Sequence, residues 1–262
     1  MPSLAAALAW TALAQTPAPA PDPLLETARS WAIHYRRTLP DFLCTEFVRR
    51  YWQDTDVKID TLTLQLGFSQ QKPTYRLVAR NNRTTHQTVQ SLNGAFSSGE
   101  FGSALFLIFD AESAAAFEAE PPGRIRRQRV AVYAYTVPHA RSHYRLQYGV
   151  EETIVAYHGR VYVNPDSGRV LRLTMDIDPP PDFPIQKTST ILDYDWRDIG
   201  GTQFLLPVRA DVHTVERPRE YRGNLGGQPV RQLAKTGTRY HNVVEFRDYH
   251  KFATESKLGF AQ

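Results

Sequence analysis

The segment Gly159-Arg-Val-Tyr-Val-Asn-Pro-Asp-Ser-Gly-Arg-Val-Leu-Arg-Leu173 constrains the fold more than any other stretch of the chain. It reads as two alternating strands around a turn. Pro165 presets φ, Asn164 and Asp166 carry side chains that bond their own backbone, and Gly168 tolerates a positive φ. Val161 and Val163 fall on one face, as do Leu171, Leu173 and Met175, while Arg160, Arg169 and Arg172 carry the charge. The same grammar recurs along the chain and predicts an antiparallel β protein.

Alternation predicts strands at 42–52, 61–68 and 74–80, then at 129–137, 142–148, 151–157, 160–164 and 169–177. In the first, Leu43, Thr45 and Phe47 oppose Cys44, Glu46 and Val48. In the second, Leu62, Leu64, Leu66 and Phe68 share a face. The proline-rich stretch 178–184 cannot pair inside a sheet. Strands at 187–197 and 202–216 follow, joined by the hairpin marker Gly200-Gly201, and a last one spans 237–248. Residues 81–98 are polar and turn-rich, and 217–236 read as a long polar loop. Helices interrupt the series twice. Asp22 and Pro23 open one over 22–38 with Leu24, Ala28, Trp31 and Tyr35 at helical spacing. Phe101, Leu105, Ile108 and Phe109 fit a second, and Asp110 is placed to cap a third through 111–117, giving a helix–turn–helix insertion over one sheet face.

Leu4 to Ala14 is apolar apart from Thr11, and Ala12-Leu13-Ala14 before Gln15 fits a small-x-small cleavage site. The run is shorter than the ~20 residues that span a bilayer. Residues 1–14 are therefore expected to be a signal peptide and 15–22 a Pro/Ala-rich linker, with 23–262 a single domain. The expected location is periplasmic or secreted, with no transmembrane segment in the mature chain. A net charge of +4 spread along 262 residues excludes a nucleic-acid footprint. The single cysteine, Cys44, cannot form an internal disulfide, and alternation on both sides of it predicts burial.

The exported leader, N-terminal helix, serial strands and the G-x-V-Y-V-N-P-x-S-G-x-V-L-R-L hairpin together resemble the LolA/LolB-like half-barrel class. Those proteins carry lipoproteins or other lipids in the Gram-negative envelope. The hairpin of that class reads G-x-V-W-[IV]-D-P-x-T-G-x-[PV]-L-R. It is matched from Gly159 to Arg172, with Asn164 in place of Asp and Tyr162 in place of Trp. Leu39-Pro-Asp-Phe-Leu-Cys44, Gly99-Glu-Phe-Gly102, Asp193-Tyr-Asp195 with Ile199-Gly-Gly201, and Phe204-Leu-Leu-Pro207 also resemble secreted proteins of soil bacteria such as acidobacteria. That group has no known activity to transfer. The resemblance implies a mainly β half-barrel of roughly ten strands with an N-terminal helix and a helical insertion. It also implies a concave apolar face suited to an acyl chain.

Chemistry-bearing residues are sparse. His139 and His143 lie around a turn, and His213 and His241 read as polar-face strand positions. Asp176 with Asp178, and Asp193 with Asp195, are carboxylate pairs without a glycine-bracketed calcium loop. Tyr133, Tyr135, Tyr144, Tyr148, Tyr157 and Tyr162 read as a cross-strand ladder. No serine lies in a G-x-S-x-G context and Cys44 has no neighbouring histidine, so no enzyme is expected and no catalytic, cofactor or metal residue is assigned. The expected function is binding of a hydrophobic ligand or lipoprotein segment on the concave face. Leu64, Leu66, Leu146, Leu171, Leu173 and Phe204 are the expected lining residues. The alternative is an envelope interaction or scaffold protein that uses a sheet edge and the 217–236 loop to hold a partner.

Overall fold

The structure is a computed structural model that describes residues 22–52, 57–92, 100–218, 220–225, 228–233 and 237–252. The expected leader and nearly all of the linker lie outside these residues. Helix α1 (Pro23–Thr38) opens the described chain, followed by β1 (Phe42–Trp52), β2 (Val57–Ser69), β3 (Lys72–Arg80) and the short β4 (Arg83–Thr84). Helix α2 (Ser103–Phe109) precedes β5 (Ala116–Ile125) and β6 (Gln128–Val137). A hairpin of β7 (Arg145–Tyr148) and β8 (Glu151–Ile154) leads into β9 (Ala156–Val163), β10 (Val170–Asp178), β11 (Ile185–Ile199) and β12 (Thr202–Glu216). A second small hairpin, β13 (Glu220–Leu225) and β14 (Gln228–Leu233), precedes β15 (Arg239–Lys251).

Eleven strands form one antiparallel sheet in the order β4-β3-β2-β1-β15-β12-β11-β10-β9-β6-β5. It does not close into a barrel. This is the expected open half-barrel with an N-terminal helix and a helical insertion. Alternation sends Phe42, Cys44, Glu46, Val48 and Arg50 of β1 to an inner face, with Leu62, Leu64, Leu66 and Phe68 of β2 beside them in register. Both helices lie on that face. Ala28, Ala32 and Tyr35 of α1, and Leu105, Ile108 and Phe109 of α2, are buried against the sheet.

The expected turn between β9 and β10 forms as read. Asn164 Oδ1 accepts from Asp166 N at 3.0 Å and Ser167 N at 2.9 Å, and Gly168 sits at φ +67°. Cys44 is buried, as its alternation predicts. Several boundaries are corrected. The predicted helix over 111–117 is absent: Ala116 begins β5, because Phe117 pairs with Tyr135 across the sheet and stacks on Phe109 at 5.4 Å. Aromatic packing overrides the helical preference of the alanines around it. The break expected after 157 falls at Val155, so β9 is continuous from Ala156. The expected 217–236 loop carries the β13–β14 hairpin.

Candidate functional site

The inner face is built by strand register and roofed by the helices. Asp22 ties roof to floor twice over. Its Oδ1 caps α1 by accepting from Leu24 N at 2.9 Å, and its Oδ2 accepts from Tyr133 OH on β6 at 2.7 Å. Tyr35 donates to Leu205 O at 2.7 Å and meets Tyr194 edge-on at 6.0 Å. Helix α2 enters through Gly102, whose φ of +95° is in the left-handed region. The carbonyls of its last turn are not left bare. Leu107 O accepts from Tyr157 OH at 2.7 Å, and Phe109 O accepts from Arg29 Nη1 at 2.9 Å. Phe101, just before the helix, packs against Phe42, Phe68 and Phe246 with ring centroids 5.4, 6.1 and 5.5 Å away.

The floor is graded along β1. The Phe42 end is aromatic, Cys44 and Val48 are apolar, and Glu46 stands between them opposite Leu64 and Phe246. Burial first, and the Glu100 charge second, push the Glu46 carboxyl well above its ordinary range. Glu46 Oε2 has no hydrogen-bond partner among the described residues. At the far end Arg50 grips Asp60 through two bonds of 2.6 Å, and Arg80 Nε adds a third at 2.8 Å. Burial works to raise the Asp60 pKa, but these guanidinium contacts win and hold it below the usual range. Beside this cluster opens a cleft of 220 Å³ lined by Arg50, Trp52, Ile59, Arg80, Leu92 and Tyr240. A wider groove of 710 Å³ lies on the outside of the β9–β10 turn, against Gln128–Ala131 and 164–166.

The expected lining residues are spread along the whole floor. Leu64 and Leu66 lie on β2 and Leu171 and Leu173 on β10, with four strands between them; all four are buried in the core beneath the helices. Leu146 and Phe204 are half-buried and pack against the rim of the same core. The tyrosine series is a ladder that bolts elements together: Tyr135 donates to Thr174 O at 2.8 Å, and its ring meets Tyr157 at 6.4 Å. The carboxylate pairs are held by cations. Arg172 binds Asp193 at 2.6 and 2.9 Å, and Asp195 takes Arg126 at 2.6 Å. His139 and His143 flank an exposed turn, His143 facing Glu112 at 3.5 Å. Sequence reasoning did not single out Glu46, Glu100 or the Arg50–Asp60–Arg80 cluster. The only advance signal was polar residues in alternation with core positions.

Among solved structures, the chain is similar to a LolA superfamily protein from Nitrosomonas europaea, at 13% identity and a TM-score of 0.42, covering 91% of this chain and 96% of that one. It is similar to a DUF1329 family protein from Desulfovibrio piger, at 10% identity and a TM-score of 0.40, covering 91% and 97%. A third likeness is to a domain assigned to outer membrane lipoprotein sorting from Vibrio parahaemolyticus, at 11% identity and a TM-score of 0.39, covering 90% and 95%. No protein-family profile matches the chain, and no curated protein matches it in sequence. Among the described residues, no helix is long and apolar enough to cross a membrane.

Proposed function

We propose that this chain is an exported, non-enzymatic envelope protein that reversibly buries a hydrophobic ligand or lipoprotein segment on the concave inner face of the sheet. The observation that carries the reading is α2. Seven residues are too few for a helix to stand alone in water, so α2 is held in place by what it buries. In this reading Phe101, Leu105, Ile108 and Phe109 occupy the apolar floor as a built-in substitute for cargo. Burial of four such side chains stabilises the closed state by roughly 8 kcal/mol, matched by about ten methylenes of an acyl chain at ~0.8 kcal/mol each. Ligands with shorter chains are therefore expected to leave α2 in place.

The competing scaffold reading loses force at the β5 edge, which contains Pro121 and Pro122 and shifts register between Glu120 and Gly123; at the other edge the two-residue β4 pairs only Ala79 and Arg80 of β3. Short strands, prolines and bulges are the devices that prevent strand addition.

The test is native mass spectrometry of the protein purified from its own envelope, with uptake of a lipophilic fluorescent probe measured in parallel. A bound mass and saturable uptake are expected. Both should fall in Leu171→Asp and, if that variant does not fold, in Phe204→Asp at the rim. Folded wild-type protein with neither a bound mass nor probe uptake would overturn the reading.

A further inference from the structure

We propose that Asp211, His213 and His241 form a binding site for a divalent transition-metal ion of the Zn²⁺ type on the outer face of the sheet. Asp211 and His213 lie two residues apart on β12 and so share a face. His241 on β15 stands directly opposite His213 in the ladder. The imidazole rings stack with centroids 4.2 Å apart and planes inclined by 8°. Both turn Nε2 toward one oxygen: Asp211 Oδ1 lies 2.9 Å from His241 Nε2 and 3.0 Å from His213 Nε2. All three candidate ligand atoms lie within 4.8 Å of one another. A tetrahedral ion with bonds of ~2.0–2.1 Å sets its ligand atoms about 3.3 Å apart. The two nitrogen–oxygen separations are within a few tenths of an ångström of that spacing, and the carboxylate has to turn aside to seat the ion between the rings and Oδ1.

The surroundings select the class of metal. Arg209 Nη2 binds the other Asp211 oxygen at 3.0 Å, which orients the carboxylate. A single carboxylate is a poor host for Ca²⁺ or Mg²⁺, which need several oxygen ligands. Two imidazoles suit the borderline ions Zn²⁺, Cu²⁺ and Ni²⁺. The side chains are 21–37% exposed, so an ion can reach them from solvent. Three protein ligands leave a position open for water or for a partner's side chain. His213 Nδ1 is buried with no partner among the described residues, so the Nε2 contact is the ring's polar anchor. The site faces away from the inner floor and does not depend on the proposed cargo.

Calorimetric titration of the purified full chain with Zn²⁺ tests the proposal, with Mg²⁺ as the control cation. One saturable Zn²⁺ equivalent is expected. Its affinity should fall at least about tenfold in His213→Ala and in Asp211→Ala, since even loss of an outer-shell partner costs that much. It should be unchanged in a His139→Ala, His143→Ala double variant. Ring ¹⁵N–¹H spectra of the wild-type protein should show the Nε2 signals of His213 and His241 moving on Zn²⁺ addition, a readout independent of whether the variants fold. Absence of binding, equal affinity in His213→Ala, or immobile His213 and His241 signals would each overturn the site and leave the three residues a hydrogen-bonded surface cluster.

Discussion

Glu46 shares the inner face of β1 with Phe42, Cys44 and Val48, and its environment stabilises the neutral acid. In the unfolded chain a glutamate ionises near 4.3. Its folded pKa is raised, so above about pH 4.3 the unfolded state releases a proton that the folded state keeps. Stability therefore falls as pH rises from there, until the folded value is passed. Asp60 has the opposite sign: its contribution is present above the unfolded value of about 3.9 and is lost as pH falls through its lowered folded value. Replacing Glu46 with the uncharged Gln should remove its share of the alkaline limb. Denaturant midpoints measured from about pH 5 to about pH 8 should decline in the wild type and decline less steeply in Glu46→Gln, where Glu216, also raised by burial, keeps a slope of the same sign. Parallel profiles would show that Glu46 does not carry the slope. Alternation placed Glu46 on the face of Cys44, for which burial is predicted, but that this face meets the helices and Glu100 depends on packing.

At the scale of elements, the strongly periodic segments were readable and the exceptions have physical causes. Strands β1 and β12 end where the residue pattern ends, and α1 begins at the cap and proline that announce it. Strand β5 was hidden because its Ala-Phe-Glu-Ala-Glu-Pro-Pro stretch carries no β-branched run, and its place at the sheet edge tolerates prolines. Strands β13 and β14 were hidden by polar composition, although the Gly226-Gly227 pair in the sequence is the same hairpin signal as Gly200-Gly201. Helix α2 was predicted from four apolar positions, and its entry hinges on Gly102. A Cβ there would lie 2.3 Å from Arg36 Cγ and 2.9 Å from Tyr35 Cδ1, on a backbone at φ +95°. Tyr35 is fully buried and cannot swing away. Gly102→Ala should cost about 1–3 kcal/mol and loosen the roof. Hydrogen exchange should accelerate across Ser103–Phe109 while β10 and β12 stay protected. Unchanged protection of α2 would mean that the backbone absorbs the substitution.

For the whole molecule, the decisive fact is where the last strand goes. Local alternation says that 237–248 is a strand but cannot say which neighbours it takes. Strand β15 inserts between β1 and β12, pairing Glu46 with Phe246 and Ala210 with Val244. It is thus the sheet's link between β1–β4 on one side and β5, β6 and β9–β12 on the other. The pairings to β1 join residues about two hundred positions apart, so they form late and reward the chain only when it is complete. The proposed metal cluster straddles this same seam, which is why its members could be recognised singly as polar strand positions and not as a group. A chain ended after Thr238 loses Val244 and Phe246 from the core and leaves β1 and β12 with unpaired edges. Helices α1 and α2 cannot compensate, because they cover the inner face and supply no strand. The truncated chain should show no cooperative thermal transition by circular dichroism. Removing Arg83 and Thr84, which merely pair β3 at the outer edge, should leave the transition in place. A cooperative melt in the truncated chain would mean that the two halves of the sheet fold without their seam.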